Sequence, residues 1–455
     1  MPSAYLHLAF AASGDPEDGF ANVNLEAAAV ELGFLEFASS QFGVLENCIT
    51  RPDETAVHYF NKGKILYRRN NYRGAVEAFQ TCIAANPKHA DAPIRMIESM
   101  QADGRTSEAL DIALPLINGT IGPSLDLLSV ISDFPDSSLR QLAPRIQPNI
   151  EMLACPDLND QTMRDFILAR IYHVTGNYEK AWQTARAANL CKRDQVRAER
   201  EKDRHWEQKI LDWSRSGNFP ASSGLPHTKS IPLFILGPSR SGKTTLETLL
   251  SNVHGVRRGY ENKLLSNAVS KANSSSGRLP SGFLPFLPDS LLPAFFHNYH
   301  RLIEKRSSGS SVFTTTTPGL IAYVPSILAA LPGAKFVLMR RSSLDLLVRT
   351  YFKSYRSGHY HAYDPNWIIE YIDWYEQLSQ QWEKVFPGSV RILSYEELVA
   401  DTVGVVSDIL EWLGLRLEAS LSALVVGDDR YVSEPYIPIL KKEESIDSSY
   451  LNYSR

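Results

Sequence analysis

Cysteine is scarce in this chain. Its 455 residues include only four, at positions far apart along the sequence: Cys48, Cys82, Cys155 and Cys191. No two of them form a CxxC pair. This spacing argues against a disulfide-rich scaffold and against a structural zinc site built from cysteine pairs. We therefore predict a reducing compartment and assign the chain to the cytoplasm.

Long apolar runs and an excess of basic charge are also missing. No run of roughly 18 apolar residues occurs without charge or proline, so no membrane-spanning helix is expected. The apolar stretch near the start lacks a preceding basic segment, which argues against a secretion signal. The formal net charge is −4. We therefore expect neither nucleic acid nor a membrane span among its interactions, and any anion site must be local.

A repeat with a period of about 34 residues is present in the N-terminal half. Its first copy places small and aromatic residues at tetratricopeptide spacing: Tyr59, Gly63, Tyr72, Ala75, Phe79 and Pro87. The offset recurs at Ala109, and a third copy contains Ala169 and Ala181. Small residues let two antiparallel helices approach, and aromatic residues fill the space to the next hairpin. The repeats suggest a peptide or protein partner, because stacked hairpins form an extended concave surface.

Two composition changes end the repeats. The charged run from Cys191 to Arg215 mixes both signs at helical spacing, which is typical of a solvated helix. Ser216–Ser230 concentrates serine, glycine and proline and indicates a linker. We predict an N-terminal helical segment at residues 1–54, tetratricopeptide-like repeats at 55–215, a linker at 216–230 and an α/β domain at 231–455.

From Ile231 onward, short apolar runs alternate with helical stretches. The runs IPLFILG, SSVFTT, AKFVLMRR and SVRILSY each read as a buried strand followed by a helix. Such alternation predicts a parallel sheet with helices on both faces. The fold class is therefore an α-helical repeat region followed by a P-loop α/β domain. Ligands of such sheets bind at the carboxyl ends of the strands.

The run GPSRSGKT, Gly237–Thr244, follows the first predicted strand and opens a helix. Its backbone N–H groups and the helix N-terminus form an anion cradle. The run also fits the Walker A pattern, in which Lys243 would reach the outer phosphates and Thr244 would hold Mg²⁺. No later strand ends in the aspartate that usually organises this ion. A Walker-type kinase or NTPase stays the alternative hypothesis.

Three ordered blocks between about Ile231 and Leu417 resemble the tetratricopeptide-linked sulfotransferases. They begin FILGPSRSGKTTLETLL, LPGAKFVLMRRSSLDLL and WYEQLSQQWEKVFPGSV. The resemblance implies a PAPS-dependent sulfotransferase, which transfers a sulfuryl group from PAPS (3′-phosphoadenosine 5′-phosphosulfate) to a hydroxyl or amine acceptor. Transfer would be a direct in-line displacement without a metal.

The resemblance assigns the phosphate loop to the donor's 5′ end. Arg240, Ser241, Gly242, Lys243 and Thr244 stand where the family binds the 5′-phosphate and the bridging oxygen of the leaving group. Fixed cations and backbone dipoles there stabilise the charge that grows on the departing nucleotide. Arg240 is therefore also a catalytic candidate.

Four further residues are assigned by the same resemblance. Arg341 matches the arginine that binds the 3′-phosphate, and Arg349 replaces a serine that shares it. Tyr395 matches a residue near the adenine. Glu261 matches the general base that takes the acceptor's proton, a role typically worth ~10²–10⁴-fold in rate.

The sequence departs from the family pattern at several positions. Ser342 and Ser343 replace the usual Asp-Pro, and Thr315 and Thr316 replace an Asp-Lys pair. These departures and Arg349 motivate a third hypothesis, a scaffold that binds nucleotide without turnover. The acceptor cannot be identified from the sequence.

Overall fold

The computed structural model shows two compact units, Met1–Asn177 and Tyr178–Arg455. It describes residues 19–32, 42–118, 124–275, 289–307, 309–355, 358–416 and 433–441, together with residues 7, 9, 38 and 40. None of the helices in these ranges has the length and apolar character needed to cross a membrane.

The described part of the first unit is helical. Its helices are α1 Gly19–Leu32, α2 Phe42–Cys48, α3 Pro52–Arg68, α4 Tyr72–Ala85, α5 Asp91–Ala102, α6 Thr106–Ile117, α7 Leu125–Ser132, α8 Asp136–Glu151 and α9 Leu158–Val174. Consecutive helices from α3 to α6 are joined by short turns and contact one another. This is the arrangement expected of stacked helical hairpins.

The α3–α4 hairpin shows why glycine is needed at its contact. A Cβ atom at Gly63 would lie 2.5 Å from Cε1 of the buried Phe79 ring, too close without a shift of that ring. Ala75 on the facing helix is fully buried. The side chain of Asn71 accepts a hydrogen bond of 3.1 Å from the backbone N–H of Gly74, which caps α4. Small residues thus allow the close approach of these two helices.

The second unit contains a parallel sheet and helices. The strands are β1 Ile231–Leu236, β2 Val256–Arg257, β3 Val312–Thr315, β4 Lys335–Arg340 and β5 Val390–Ser394. The helices are α10 Tyr178–Ser216, α11 Lys243–Ser251, α12 Leu264–Ser275, α13 Leu292–Ser307, α14 Val324–Ala330, α15 Ser343–Tyr351, α16 Pro365–Val385, α17 Tyr395–Ala400, α18 Thr402–Trp412 and α19 Ile437–Leu440. Short 3₁₀ helices lie at Asp289–Leu291, Pro318–Tyr323, Tyr360–Tyr363 and Glu434–Tyr436.

The five strands have the order β2-β3-β1-β4-β5, and every pair is parallel. Ile231 of β1 pairs with Val312 of β3, and Leu233 pairs with Lys335 of β4. The predicted parallel sheet is confirmed. The strand β2 was not predicted, because two residues are too few to show a period.

Both faces of the sheet are covered. Leu233 and Ile235 pack in one cluster with residues of α11, α17 and α18. Phe234 and Leu236 pack in another with residues of α13, α14 and α16. Alternate residues of β1 are buried on opposite faces, as the period of two requires. The carboxyl ends of β1, β3 and β4 are thereby fixed at one edge of the sheet, where ligands of such folds bind.

The long helix α10 belongs to the second unit. It lies against α16, and its Arg200 is fully buried with Nη1 2.7 Å from Glu207 Oε1. The segment 216–230, interpreted as a linker, is hydrogen-bonded within the same unit, for instance from the N–H of Ser223 to the carbonyl of Ala329 at 2.9 Å. Along the sequence, the boundary between the two units falls between Asn177 and Tyr178, ahead of the predicted linker.

Candidate functional site

The phosphate loop joins the end of β1 to the start of α11. Arg240 and Gly242 both adopt left-handed backbone angles, with φ of 70° and 95°. A Cβ atom at Gly242 would lie 2.2 Å from Cδ2 of Tyr395, so glycine is required by conformation and by space. The Ser241 side chain is fully buried, and its Oγ has no hydrogen-bond partner within the described ranges. Thr244 is exposed on the first turn of α11.

Lys243 lies within the loop, with only 5% of its surface exposed. Its Nζ donates a hydrogen bond of 2.8 Å to the carbonyl of Pro238. Burial lowers the pKa of Lys243 to about 8; Glu261 opposes this effect and Arg240 adds to it. An anion in the loop would add a counter-charge beside this ammonium.

Beyond β4, two arginines converge on one buried carboxylate. Arg341 donates from Nε to Asp345 Oδ2 at 2.6 Å, and Arg349 donates from Nε to the same oxygen at 2.8 Å. Asp345 is fully buried and also accepts a hydrogen bond of 3.1 Å from the backbone N–H of Ser433. Because a guanidinium presents paired donors to an oxyanion, the two arginines are a candidate anion site.

This arginine pair is joined directly to the phosphate loop. Arg341 donates from Nη1 to the backbone carbonyl of Arg240 at 3.3 Å. Its guanidinium also lies 4.0 Å from the centre of the Tyr395 ring, the ring that packs against Gly242. The structure therefore brings together most of the predicted donor-site residues through direct contacts.

Glu261 lies near Lys243, close enough for their charges to interact. Its side chain is exposed. The protein packed around the carboxyl nevertheless raises the pKa of Glu261; Lys243 opposes this rise and Glu247 reinforces it. Because water reaches the group, solvent screens part of these effects. A carboxylate at this position can accept a proton from a nucleophile that approaches the loop.

A second carboxylate positions the segment that carries Glu261. Glu247, buried on α11, accepts hydrogen bonds from the backbone N–H of Tyr260 at 3.1 Å and from the Thr314 hydroxyl at 2.6 Å. Arg258 lies 3.3 Å from its other oxygen. Tyr260 has a left-handed φ of 55°. The base candidate thus follows directly on a backbone turn that Glu247 holds to the phosphate-loop helix.

The threonines at the end of β3 form hydrogen bonds with the same segment. Thr315 is buried, and its hydroxyl accepts a hydrogen bond of 3.2 Å from the side-chain amide of Asn262. Thr316 is buried as well, and its N–H donates to the carbonyl of Tyr260 at 3.1 Å. The end of β3 therefore helps to fix the turn ahead of Glu261.

Three residues important to the site's geometry had not been identified from the sequence. Asp345 lies four residues after Arg341 and four before Arg349, a spacing that places ionic partners on one helix face. Glu247 pairs with Arg258, eleven residues later in the sequence, and no local pattern indicates that contact. Tyr355 donates from its hydroxyl to the Ser239 hydroxyl of the phosphate loop at 3.0 Å. No local pattern indicates this last contact, which depends on the fold.

Metal ligands were not predicted. Across the ranges described, no group of three or more His, Cys, Asp or Glu side chains is placed to hold a metal ion. The metal-free reaction stays a prediction.

A comparison with known protein families gives a match within the second unit. Residues 232–419 match the model of the Sulfotransferase family. The match includes the phosphate loop, Glu261, the arginine pair and Tyr395. The chain therefore contains a sulfotransferase-family domain.

Other likenesses are more distant. A protein of Aquifex aeolicus (strain VF5), described as uncharacterized, is 24% identical over 406 residues, which is 87% of this chain and 52% of that protein. The chain thus spans about half the length of this relative. A sulfotransferase of Alicyclobacillus acidocaldarius is 18% identical, covering 43% of this chain and 89% of that one, with a TM-score of 0.29. The sulfotransferase domain of the Synechococcus PCC 7002 olefin synthase is 15% identical, covering 50% and 88%, with a TM-score of 0.30.

Proposed function

We propose that the second unit transfers a sulfuryl group from PAPS to a hydroxyl or amine acceptor. The observation that carries this proposal is the contact between Arg341 and the Arg240 carbonyl, which joins two anion-binding groups. One group is the phosphate loop with its buried Lys243, and the other is the arginine pair around Asp345. A nucleotide with phosphates at both its 5′ and 3′ ends would satisfy both groups at once.

The proposed reaction is an in-line displacement at sulfur. The acceptor's oxygen or nitrogen forms a bond to sulfur while the bond from sulfur to the 5′-phosphate oxygen breaks. The acceptor's proton passes to the Glu261 carboxylate. The electron pair of the broken bond stays on the departing 5′-phosphate, where Lys243, Arg240 and the loop N–H groups stabilise it. This scheme assigns no role to a metal.

Two further donor-site roles belong to the same proposal. We assign the 3′-phosphate to Arg341 and Arg349, because a guanidinium presents paired donors to an oxyanion. Tyr395 is assigned to the adenine side of the nucleotide. It is buried between Gly242 and the Arg341 guanidinium, a position in which its ring also shapes the loop.

Thermal unfolding with matched ligands tests the proposal. The product nucleotide, 3′-phosphoadenosine 5′-phosphate, should raise the melting temperature in EDTA as well as in Mg²⁺, because it binds the folded state. Stabilisation by Mg-ATP alone, with no effect of the bisphosphate, would replace the proposal by the Walker-type hypothesis. Binding of the bisphosphate without sulfuryl transfer to any acceptor would favour the scaffold.

A variant pair locates the 3′-phosphate. Arg341→Ala should weaken the bisphosphate by about 2–5 kcal/mol, the range for losing one partner of a buried charge pair. Adenosine 5′-phosphosulfate, which lacks the 3′-phosphate, should bind to the Arg341→Ala variant almost as tightly as to the wild-type protein. Arg340→Ala is the control, since the neighbouring Arg340 side chain is 51% exposed and pairs with Glu376. Equal losses for both nucleotides would make Arg341 a structural residue.

For the first unit we propose tetratricopeptide-like repeats. The close approach at Gly63 and the full burial of Ala75 and Ala109 support this assignment, because the repeat places small residues at helix contacts. A peptide or protein partner on these repeats stays a prediction.

A further inference from the structure

We propose that His359 binds the 5′-phosphosulfate end of the donor as an imidazolium, and that it gains its proton when the donor binds. This inference rests on the sulfotransferase function proposed above. It adds a third cation, from a different part of the chain, to Lys243 and Arg240.

The geometry places His359 at the phosphate loop. The Tyr355 hydroxyl donates to the Ser239 hydroxyl of the loop at 3.0 Å, which ties the segment after α15 to the loop. The His359 ring stacks on the Tyr355 ring, with ring centres 4.4 Å apart and planes 26° from parallel. The Tyr355 ring and hydroxyl therefore connect the His359 imidazole to Ser239, the residue next to Arg240.

The backbone at His359 is held in an unusual conformation. Its φ of 54° and ψ of 40° lie in the left-handed region, which is unfavourable for a residue other than glycine. Such residues concentrate at ligand sites, where the surrounding structure holds them. The same residue precedes the 3₁₀ helix Tyr360–Tyr363, and its side chain makes no capping hydrogen bond to that helix.

The ring nitrogens of His359 are available. Within the described residues, neither has a hydrogen-bond partner, and the side chain is only partly buried. The contacts of the ring are with Tyr355 and, at 5.8 Å between centres, with the buried His361 ring. A ligand in the loop could therefore accept a hydrogen bond from this imidazole without breaking one.

The charges around His359 change when an anion enters. Burial, with a smaller contribution from Lys243, lowers the pKa of His359 to about 4. The groups that face it are Lys243 from the loop helix, Tyr355 beside it and His361, whose own pKa is lowered by burial. None of these three groups carries a negative charge at neutral pH. A phosphosulfate beside Lys243 would reverse this balance and favour the protonated imidazole.

The size of the proton uptake follows from these values. At pH 6 a histidine with a pKa of about 4 is almost entirely neutral. If binding returns its pKa to the ordinary 6.5, roughly 0.7 proton is taken up per nucleotide bound. Binding should accordingly tighten as the pH is lowered from 7.5 toward 5.5, on the linkage argument that the complex binds more protons than the free protein.

The test is isothermal titration calorimetry with the donor PAPS, in the absence of an acceptor, at pH 6 in two buffers of different ionisation enthalpy. His359→Asn is the chosen variant, because asparagine tolerates left-handed backbone angles and should keep the fold. His254→Asn is the matched control, since His254 is exposed in the same unit. The 5′-phosphosulfate has no pKa near 6, and the 3′-phosphate, which is assigned to the arginine pair and has a second pKa near 6, contributes equally to all three proteins.

The expected result is that His359→Asn takes up at least about half a proton fewer per nucleotide than wild type, while His254→Asn matches wild type. Binding with equal proton uptake in wild type and His359→Asn overturns the inference and leaves the proposed function standing. Absence of binding by wild type overturns both. Melting curves of the free proteins show whether each variant is folded before the titration.

Discussion

Lys243→Met is expected to make the protein more stable at neutral pH while removing its affinity for nucleotide. Lys243 is 5% exposed, and its ammonium has the Pro238 carbonyl as a hydrogen-bond acceptor in the loop. Methionine has a similar length and no charge. The substitution therefore removes a buried positive charge with little change in packing.

The magnitude follows from the pKa of Lys243, which burial lowers from 10.5 to about 8. Each pH unit corresponds to about 1.4 kcal/mol, so the folded state disfavours the ammonium by about 3 kcal/mol at neutral pH. Loss of the hydrogen bond to Pro238 offsets about 1 kcal/mol of the gain. We expect Lys243→Met to raise the free energy of unfolding by about 2 kcal/mol at pH 7.

The lowered pKa of Lys243 also predicts how the stability difference between wild type and variant changes with pH. Between pH 8 and 10.5 the unfolded chain still holds the lysine proton that the folded protein has released. The unfolded state then binds more protons, so the stability of wild type rises with pH through this window. The variant has no such rise, and its advantage should shrink from pH 8 upward.

Urea unfolding at pH 7 and near pH 10 measures both effects. Lys209→Met is the matched control, because Lys209 is exposed on α10 and its loss should change stability by less than about 0.5 kcal/mol. A variant no more stable than wild type at pH 7, or a gain that stays constant with pH, would refute the reasoning.

Two further substitutions test the carboxylates of the site. Asp345→Asn should lower the free energy of unfolding by about 3–5 kcal/mol, since it deprives the buried Arg341 of its carboxylate partner. Urea unfolding measures this loss, with Asp408→Asn, at an exposed position, as the control. Equal losses of stability in the two variants would contradict the reasoning. Glu261→Gln should lower turnover by about 10²–10⁴ with nucleotide affinity unchanged. The wild-type rate should rise with pH through the raised pKa of Glu261, because only the carboxylate accepts a proton, and the variant should lose this rise. Retained turnover in Glu261→Gln, with the exposed Glu411→Gln as control, would exclude the role.

The sheet could be predicted because its strands are buried on both faces. Runs such as IPLFILG and AKFVLMRR are continuously apolar, and the structure shows Leu233–Leu236 fully buried in β1. A strand of this kind carries its own evidence in the sequence. The two-residue strand β2 does not, since its pairing with β3 depends on the neighbouring strand.

The helix α10 shows where local patterns fail. Its mixed charges predicted a solvated helix, yet Arg200 is fully buried with Glu207, and the indole of Trp374 donates to the Glu207 carbonyl at 2.9 Å. Charge spacing shows which residues share a helix face. It does not show that α16 covers that face, because the covering residues lie far away in the sequence.

The candidate site also has parts that local sequence patterns predict and parts that only the fold reveals. The phosphate loop could be predicted because its chemistry is contiguous: glycine at a left-handed position, then lysine at the helix start. Arg341 and Arg349 were identified from a resemblance, whereas their shared partner Asp345 could have been found from the four-residue spacing. The contact between Tyr355 and Ser239 spans 116 positions, and only the folded chain reveals it.

The Walker A string does not decide the chemistry, because the loop is only one of the two anion-binding groups that we propose. A nucleoside triphosphate carries its charge at one end and would leave the arginine pair without an anionic ligand. Both guanidinium groups donate to the buried Asp345, which holds them side by side. On the proposed assignment, a 3′-phosphate would bind the arginine pair, and the Arg341 contact to the Arg240 carbonyl would link its binding to the conformation of the loop. We therefore expect discrimination between nucleotides to depend on the arginine pair, with the loop contributing similar affinity to both.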